Sequence, residues 1–138
     1  MNAKEYLSQI ELINVRIQNR KEEIQTLKSY LNRTTISTEK DYIQYNGSGS
    51  KVENQTVKIT DLEKCNSEEI LKLSMKRDEI ISVIESLDNP MYERILYLRY
   101  CQNKTWEEIG EDIDKSYQWV NELHERALKK IEKIINNT

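Results

Sequence analysis

The stretch from Thr105 to Leu128 constrains the fold of this chain more than any other segment. Its apolar residues recur at spacings of three and four, which is the period of an amphipathic α-helix. Asp114 and Lys115 interrupt that pattern near the middle, and Asp is a residue type that tolerates the backbone conformations of a tight turn. The stretch therefore predicts two short helices joined by a tight turn.

Both predicted helices begin at residues that suit a helix N-terminus. Thr105 precedes the first helix and Glu108 follows three residues later, which is the spacing of a capping box. Ser116 can cap the second helix through its hydroxyl. Gly110 lies where the second helix must approach closely, and a small residue at such a point indicates a helix-turn-helix unit. The alternative is an ordinary helical hairpin that binds nothing.

Three motifs carry a resemblance to a known family. They are Leu98-Arg99-Tyr100, the segment TWEEIG from Thr105 to Gly110, and the segment from Ser116 to Leu128 that ends in ERAL. Together they resemble the fourth region of sigma-70 factors, whose helix-turn-helix docks on promoter DNA. The layout of the whole chain is similar to that of small phage-associated sigma-70-like proteins. The resemblance implies a transcription regulator of phage or prophage origin.

The composition favours long, solvated helices in an all-α protein. Charged residues make up 33% of the chain, above the average of about 25%, and the 138 residues include one Pro and three Gly. No apolar run approaches the roughly 20 residues that a membrane span needs. The N-terminus also lacks the basic and apolar segments of a secretion signal. We therefore expect a cytoplasmic protein that does not associate with membranes.

Residues suited to catalysis or metal binding are sparse and scattered. Cys65 and Cys101 lie far apart, and His124 is the single histidine, so no zinc-ligand spacing exists. The chain contains no glycine-rich phosphate loop and no nucleophile with a plausible histidine base. We expect no catalytic residue, no metal, no cofactor and no small-molecule substrate, which means that the protein is not an enzyme.

The N-terminal half carries a heptad seam. From Ala3 to about Arg33 apolar residues alternate at spacings of four and three, with Arg20 as the single polar interruption. So narrow a stripe does not stabilise an isolated helix, so the helix needs a partner. A second stripe with the same spacing, between Thr56 and Leu87, predicts that partner. The positions on the two stripes are Tyr6, Ile10, Ile13, Ile17, Arg20, Ile24, Leu27 and Leu31, and Ile59, Leu62, Asn66, Ile70, Leu73, Arg77, Ile80, Ile84 and Leu87.

A polar segment at about 34–55 separates the two stripes. Its Asn-Gly-Ser-Gly-Ser core and polar flanks cannot bury enough apolar surface to order the segment. We therefore predict a long, coiled-coil-like helical hairpin over residues 1–87, with a flexible linker at about 34–55. The alternative is a homodimer in which two copies of the first helix pair.

A helix-turn-helix domain is predicted over residues 88–138. Asn89 can cap a helix and Pro90 suits its first position, so a helix should run from Pro90 to about Cys101 behind the helix-turn-helix unit. Three helices of this kind form a minimal DNA-binding core. The final helix continues past Leu128, and its extension is expected to pack against the N-terminal helices or a second copy.

If the domain docks like the family it resembles, the helix over residues 116–133 enters the major groove. Its outward residues are predicted to contact bases, because Gln and Asn suit adenine, Glu suits cytosine and Tyr suits a thymine methyl group. These residues are Tyr117, Gln118, Asn121 and Glu122. By resemblance Arg99 and Thr105 are expected to contact phosphates, and Lys104, Lys115 and Ser116 are further predicted phosphate contacts.

Two features set the chain apart from typical sigma factors. Those proteins usually carry Arg where Tyr117, Trp119 and Asn121 stand, so a standard promoter preference should not be transferred. The net charge is −3, and phosphate neutralisation supplies much of DNA affinity, so binding by this chain alone should be weak. We expect a regulator that binds double-stranded DNA and uses its N-terminal helices to dimerise or to contact RNA polymerase. The alternative is an interaction module that binds polymerase or another regulator without reading DNA.

Overall fold

The computed structural model describes residues 1–41 and 49–137, and their side chains except those of residues 33–41 and 49–53. This part of the chain is helical and contains no strand. Its elements are α1 (Ala3–Asp41), α2 (Gly49–Glu85), α3 (Pro90–Leu96), a π-helical turn (Tyr97–Cys101), α4 (Trp106–Ile113) and α5 (Tyr117–Asn136). The predicted all-α fold, with a long helical N-terminal region and a C-terminal helix-turn-helix, is confirmed.

The two long helices extend further than the sequence predicted. Helix α1 ends at Asp41 and α2 begins at Gly49, so the segment expected to be a linker at about 34–55 is helical on both sides. Residues 34–41 contain neither Gly nor Pro, so nothing in the local sequence stops a helix that has already formed. Residues 42–48, the centre of the predicted linker, lie outside the described part of the chain. No helix among the described residues is long and apolar enough to cross a membrane.

The chain divides into two compact units. One unit consists of Met1–Val15 together with Met75–Thr138, and the other of Arg16–Ser74. The first unit, called here the terminal unit, thus combines the helix-turn-helix with the start of α1 and the end of α2. The sequence predicted a boundary between two independently folding domains at residues 87 and 88. That domain boundary stays a prediction.

The core of the terminal unit joins the short helices. A buried cluster of Ile95, Leu98, Ile109 and Val120 contains one residue from α3, one from the π-helical turn, one from α4 and one from α5. Burying an aliphatic side chain of this size stabilises a fold by about 1.5–3 kcal/mol, which short helices cannot gain alone. The buried core of this unit also includes Leu7, Ile10, Ile13, Ile80, Ile84, Leu87, Ala127 and Ile131.

Helix α3 begins at a side-chain cap and continues into the π-helical turn. The Asn89 side chain accepts hydrogen bonds from the amides of Met91 and Tyr92 at 3.1 and 3.3 Å, which confirms the predicted cap. The π-helical turn that follows is marked by a bond from the Gln102 amide to the Tyr97 carbonyl at 3.1 Å. The helix predicted to reach about Cys101 is therefore present, but its last turn is more widely wound.

Helices α1 and α2 contact each other in the second unit, Arg16–Ser74. Arg20 Nη1 donates to Asn66 Oδ1 at 3.0 Å, and Asn66 is buried. In the terminal unit, Arg77 Nε donates to Asn14 Oδ1 at 2.9 Å. The partners follow opposite sequence order along the two helices, as the predicted antiparallel hairpin requires.

Candidate nucleic-acid interface

The turn between α4 and α5 fixes the direction in which α5 leaves. Asp114 ends α4 in the left-handed conformation, with φ 55° and ψ 50°, and the Lys115 amide donates to the Gly110 carbonyl at 2.9 Å. A Cβ atom on Gly110 would lie 2.8 Å from the Lys115 carbonyl oxygen, closer than real contacts of this kind. The predicted tight turn is present. The close approach at Gly110 comes from the backbone of the turn, however, and less from the second helix.

Side-chain caps hold the starts of both helices. The Thr105 hydroxyl accepts from the Glu108 amide and donates to the Glu108 carboxylate, each at 3.2 Å. Only half of the predicted capping box is therefore present, because the Glu108 carboxylate accepts from the Thr105 hydroxyl and not from the Thr105 amide. Ser116 Oγ accepts from the Trp119 amide at 3.2 Å and caps α5.

Removing either cap should destabilise the terminal unit. We expect Thr105→Ala and Ser116→Ala each to lower the free energy of unfolding by about 1 kcal/mol, because an amide at the helix start loses its acceptor. Urea denaturation followed by circular dichroism would measure the loss. Thr60→Ala is the matched control, since its hydroxyl bonds a carbonyl within helix α2 and caps nothing. Equal effects for all three variants would contradict the cap assignment.

The outward face of α5 carries the predicted base-contact residues. Tyr117, Gln118 and Glu122 are exposed, and Asn121 is half-buried. Among the described residues, none of the hydrogen bonds or ion pairs involves the side chain of Gln118, Asn121 or Glu122. Their amide and carboxylate groups therefore have unused donors and acceptors along one edge of the helix.

Trp119, whose role the sequence did not define, lies on the other side of α5. The ring is half-buried and packs against the core cluster of the terminal unit. Lys115 Nζ lies 5.2 Å from the centroid of this ring, within the range of a cation–π contact. Trp119 thus anchors the start of α5 to the core and positions Lys115 beside it.

Four of the predicted phosphate-contact residues flank the starts of α4 and α5, and Arg99 belongs to the π-helical turn. Arg99 and Lys104 already contact other groups of the terminal unit. The Arg99 guanidinium lies 4.4 Å from the Trp106 ring centroid, and its Nη1 donates to the Lys104 carbonyl at 3.0 Å. Lys104 Nζ lies 3.6 Å from Asp112 Oδ2, in a partly exposed ion pair that solvent weakens. Lys104 and Thr105 are neighbours in the sequence, and so are Lys115 and Ser116.

Acidic side chains surround this surface. A groove beside the turn is lined by Glu107, Glu111 and Asp114 together with Lys115 and Tyr117. All three carboxylates belong to exposed residues, so they repel phosphate at moderate ionic strength. This arrangement agrees with the expectation that the domain binds DNA weakly by itself.

A buried aromatic cluster supports the interface from behind, and the sequence interpretation missed it. His124 is only 4% exposed, its Nε2 lies 2.8 Å from the Tyr100 hydroxyl, and its ring meets Trp106 edge-on with centroids 4.5 Å apart. Burial, reinforced by the charges of Arg99 and Lys4, lowers the pKa of His124 to about 4. The position could have been found, because His124 lies four residues after Val120 and three before Ala127 on the inward face.

The neutral state of His124 makes the terminal unit sensitive to acid. Its pKa is about 4 in the fold and 6.5 in an ordinary environment, so its contribution to stability is present above pH 6.5 and lost as pH falls towards 4. Between pH 7 and pH 5 the free energy of unfolding should fall by about 2 kcal/mol from this group. Denaturation of wild type and His124→Gln at both pH values measures the effect. An equal pH dependence in the two proteins would contradict it.

Among the described residues, no group of three or more His, Cys, Asp and Glu side chains is arranged to hold a metal ion. Residues 89–133, about a third of the chain, match the family model of sigma-70, region 4. This is a family of DNA-binding helix-turn-helix domains and not a family of enzymes. The match spans α3, α4 and most of α5 with both caps, so the sigma-70-like character predicted for this segment is confirmed. No curated protein and no solved structure matches the chain.

Proposed function

We propose that this protein is a sequence-specific DNA-binding regulator of transcription, of phage or prophage origin and acting in the cytoplasm. Helix α5 is its recognition helix. The observation that carries the proposal is the pairing of a sigma-70 region 4 match with a helix whose outward amide and carboxylate groups bond no other side chain in the described part of the chain.

Base reading is assigned to the first turns of α5. Gln118 and Asn121 each offer a donor and an acceptor, which suits the N6 and N7 edge of adenine, and the Glu122 carboxylate accepts from the amino group of cytosine. The exposed ring of Tyr117 suits a thymine methyl group. From Ser116 to Glu125 the sequence contains no Arg or Lys, the residue types that read guanine best. The bases that α5 contacts should therefore be adenine, cytosine and thymine, with little guanine.

Phosphate contacts would hold the domain on the duplex. The starts of α4 and α5 present free backbone amides, with Thr105 and Ser116 at the caps and Lys104 and Lys115 beside them. Arg99 would contribute the guanidinium N–H groups that the Lys104 carbonyl does not use. So few cations beside three exposed carboxylates give little affinity, and a second binding contribution is needed. RNA polymerase, or a second copy joined through the N-terminal helices, would supply it.

Selection of random duplex DNA at low salt, with and without the host RNA polymerase, tests this function. We expect one motif to be enriched, and the Gln118→Ala/Asn121→Ala variant to lose it while keeping its helical content. The matched control is Gln25→Ala/Asn54→Ala, which changes the same residue types at exposed positions on α1 and α2. No enrichment in any arm would exclude the proposed DNA reading.

The second candidate function is an interaction module that binds RNA polymerase or another regulator without reading DNA. The acidic groove of Glu107, Glu111 and Asp114 favours it, because basic segments of a protein partner are attracted where phosphate is repelled. Co-purification with polymerase, abolished by Glu107→Gln/Glu111→Gln and accompanied by no DNA motif, would support this candidate over the first.

A further inference from the structure

Each of the two long helices places one asparagine and one arginine where it meets the other helix. In the second unit, Arg20 Nη1 of α1 donates to Asn66 Oδ1 of α2 at 3.0 Å. In the terminal unit, Arg77 Nε of α2 donates to Asn14 Oδ1 of α1 at 2.9 Å. The arrangement is therefore reciprocal, since the arginine of each helix bonds the asparagine of the other.

These bonds matter because at least one of the amides is removed from water. Asn66 is 5% exposed, so its oxygen depends on Arg20 for a donor. Leaving a buried polar group without a hydrogen-bond partner destabilises a fold by more than a satisfied hydrogen bond stabilises it. A single polar residue on an otherwise apolar seam can for this reason fix the register of paired helices. Two reciprocal pairs constrain the register more strongly than one.

A shift of α2 by one heptad would break both pairs at once. The α2 residues one heptad before and after Asn66 and Arg77 are all apolar: Ile59, Leu73, Ile70 and Ile84. After such a shift, Arg20 and Asn14 would each face an aliphatic side chain, which can neither accept nor donate. Of these three registers, only the observed one pairs all four polar side chains with each other.

The same residues bear on the choice of partner. If two copies of α1 paired in parallel, Arg20 would face Arg20, and two like charges would meet on the seam. Opposite Arg20, helix α2 instead places the neutral amide oxygen of Asn66. We propose that the two arginine–asparagine pairs select α2, in one antiparallel register, as the partner of α1 in preference to a second copy of α1 in parallel orientation.

The test compares Arg20→Leu, Asn66→Leu and the double variant in the full chain, by urea unfolding and sedimentation velocity. Arg20→Leu should raise the unfolding equilibrium constant about 10-fold or more, because it leaves the buried Asn66 amide without its partner, whereas Asn66→Leu should cost less, because Arg20 is exposed to water. The double variant should regain most of this loss through apolar contact. Once Asn14→Leu/Arg77→Leu removes the second pair as well, the chain should sediment with a larger mass than wild type or show doubled amide resonances for residues 16–32 and 56–74.

Two further variants keep the proposal falsifiable. The exchange Arg20→Asn/Asn66→Arg retains the pair and should keep the wild-type mass and a single set of resonances. Arg16→Leu is the matched control, since Arg16 lines the same cleft and has no bond to Asn66, so its effect should add to that of Asn66→Leu. The proposal is wrong if the effects of Arg20→Leu and Asn66→Leu also add. It is equally wrong if the variant that lacks both pairs keeps the mass and resonances of wild type.

Discussion

Gly110→Ala is expected to destabilise the terminal unit by about 2 kcal/mol, because the new Cβ would lie 2.8 Å from the Lys115 carbonyl oxygen. That oxygen belongs to the backbone of a turn that is tied back to residue 110 by the Lys115 amide. The turn therefore cannot move away without losing a hydrogen bond and the left-handed conformation of Asp114. The cost of overpacking outweighs the roughly 1 kcal/mol that alanine gains over glycine inside a helix.

The direction in which Gly110→Ala changes the free energy of unfolding tests the close approach at this residue. At an unstrained helical position the same change would stabilise the protein, so a rise in the free energy of unfolding would contradict the close approach. Glu111→Ala is the matched control, because it adds no atom and affects an exposed residue next in the chain. It should change the stability by no more than about 0.5 kcal/mol. Urea denaturation of the three proteins by circular dichroism gives the comparison.

Gln118→Arg should change the base that α5 reads from adenine to guanine. Arginine pairs bidentately with the O6 and N7 atoms of guanine, whereas the glutamine amide suits adenine. Each such pair discriminates by about 1–3 kcal/mol, so the preference between the two bases should change by about 10-fold to 100-fold or more. Competition binding with duplexes that differ at this one position, starting from the selected motif, measures the change.

A gain in affinity alone would not establish a base contact, because an added charge also attracts phosphate. If the new arginine only contacts phosphate, all sequences should bind more tightly, and the salt slope should steepen by about 0.9. Gln25→Arg adds the same charge on α1 and serves as the control for net charge. An unchanged base preference in Gln118→Arg, with tighter binding to every duplex, would remove Gln118 from the reading surface.

The helix-turn-helix could be predicted from sequence because its signals are local. Thr105, Glu108 and Ser116 lie within a few residues of the amides they cap, and Asp114 tolerates the left-handed turn by its own chemistry. The segment from Pro90 to Cys101 was likewise predicted, although the wider winding after Leu96 has no local signature. Local capping and turn chemistry thus define most of the candidate interface.

Contacts between distant residues were beyond sequence reasoning. Arg20 and Asn66 both belonged to predicted stripes, but the hydrogen bond joins residues 46 positions apart, and spacing does not identify partners over that distance. Arg99 was predicted only as a phosphate contact, whereas its guanidinium also stacks on Trp106.

Helix α1 ends later and helix α2 begins earlier than the sequence predicted, for another reason. Polar composition argues against burial, but it does not end a helix that has already formed.

The composition of the terminal unit has a consequence for folding during synthesis. Residues Met1–Val15 are translated before Met75–Thr138, yet the two segments belong to the same compact unit. Leu7 and Ile10, which are fully buried there, must wait for most of the chain to leave the ribosome before that core can form. Until then a nascent amphipathic helix exposes its apolar face, a natural target for a chaperone. Shortening the chain from its C-terminal end should accordingly leave the N-terminal segment prone to aggregation.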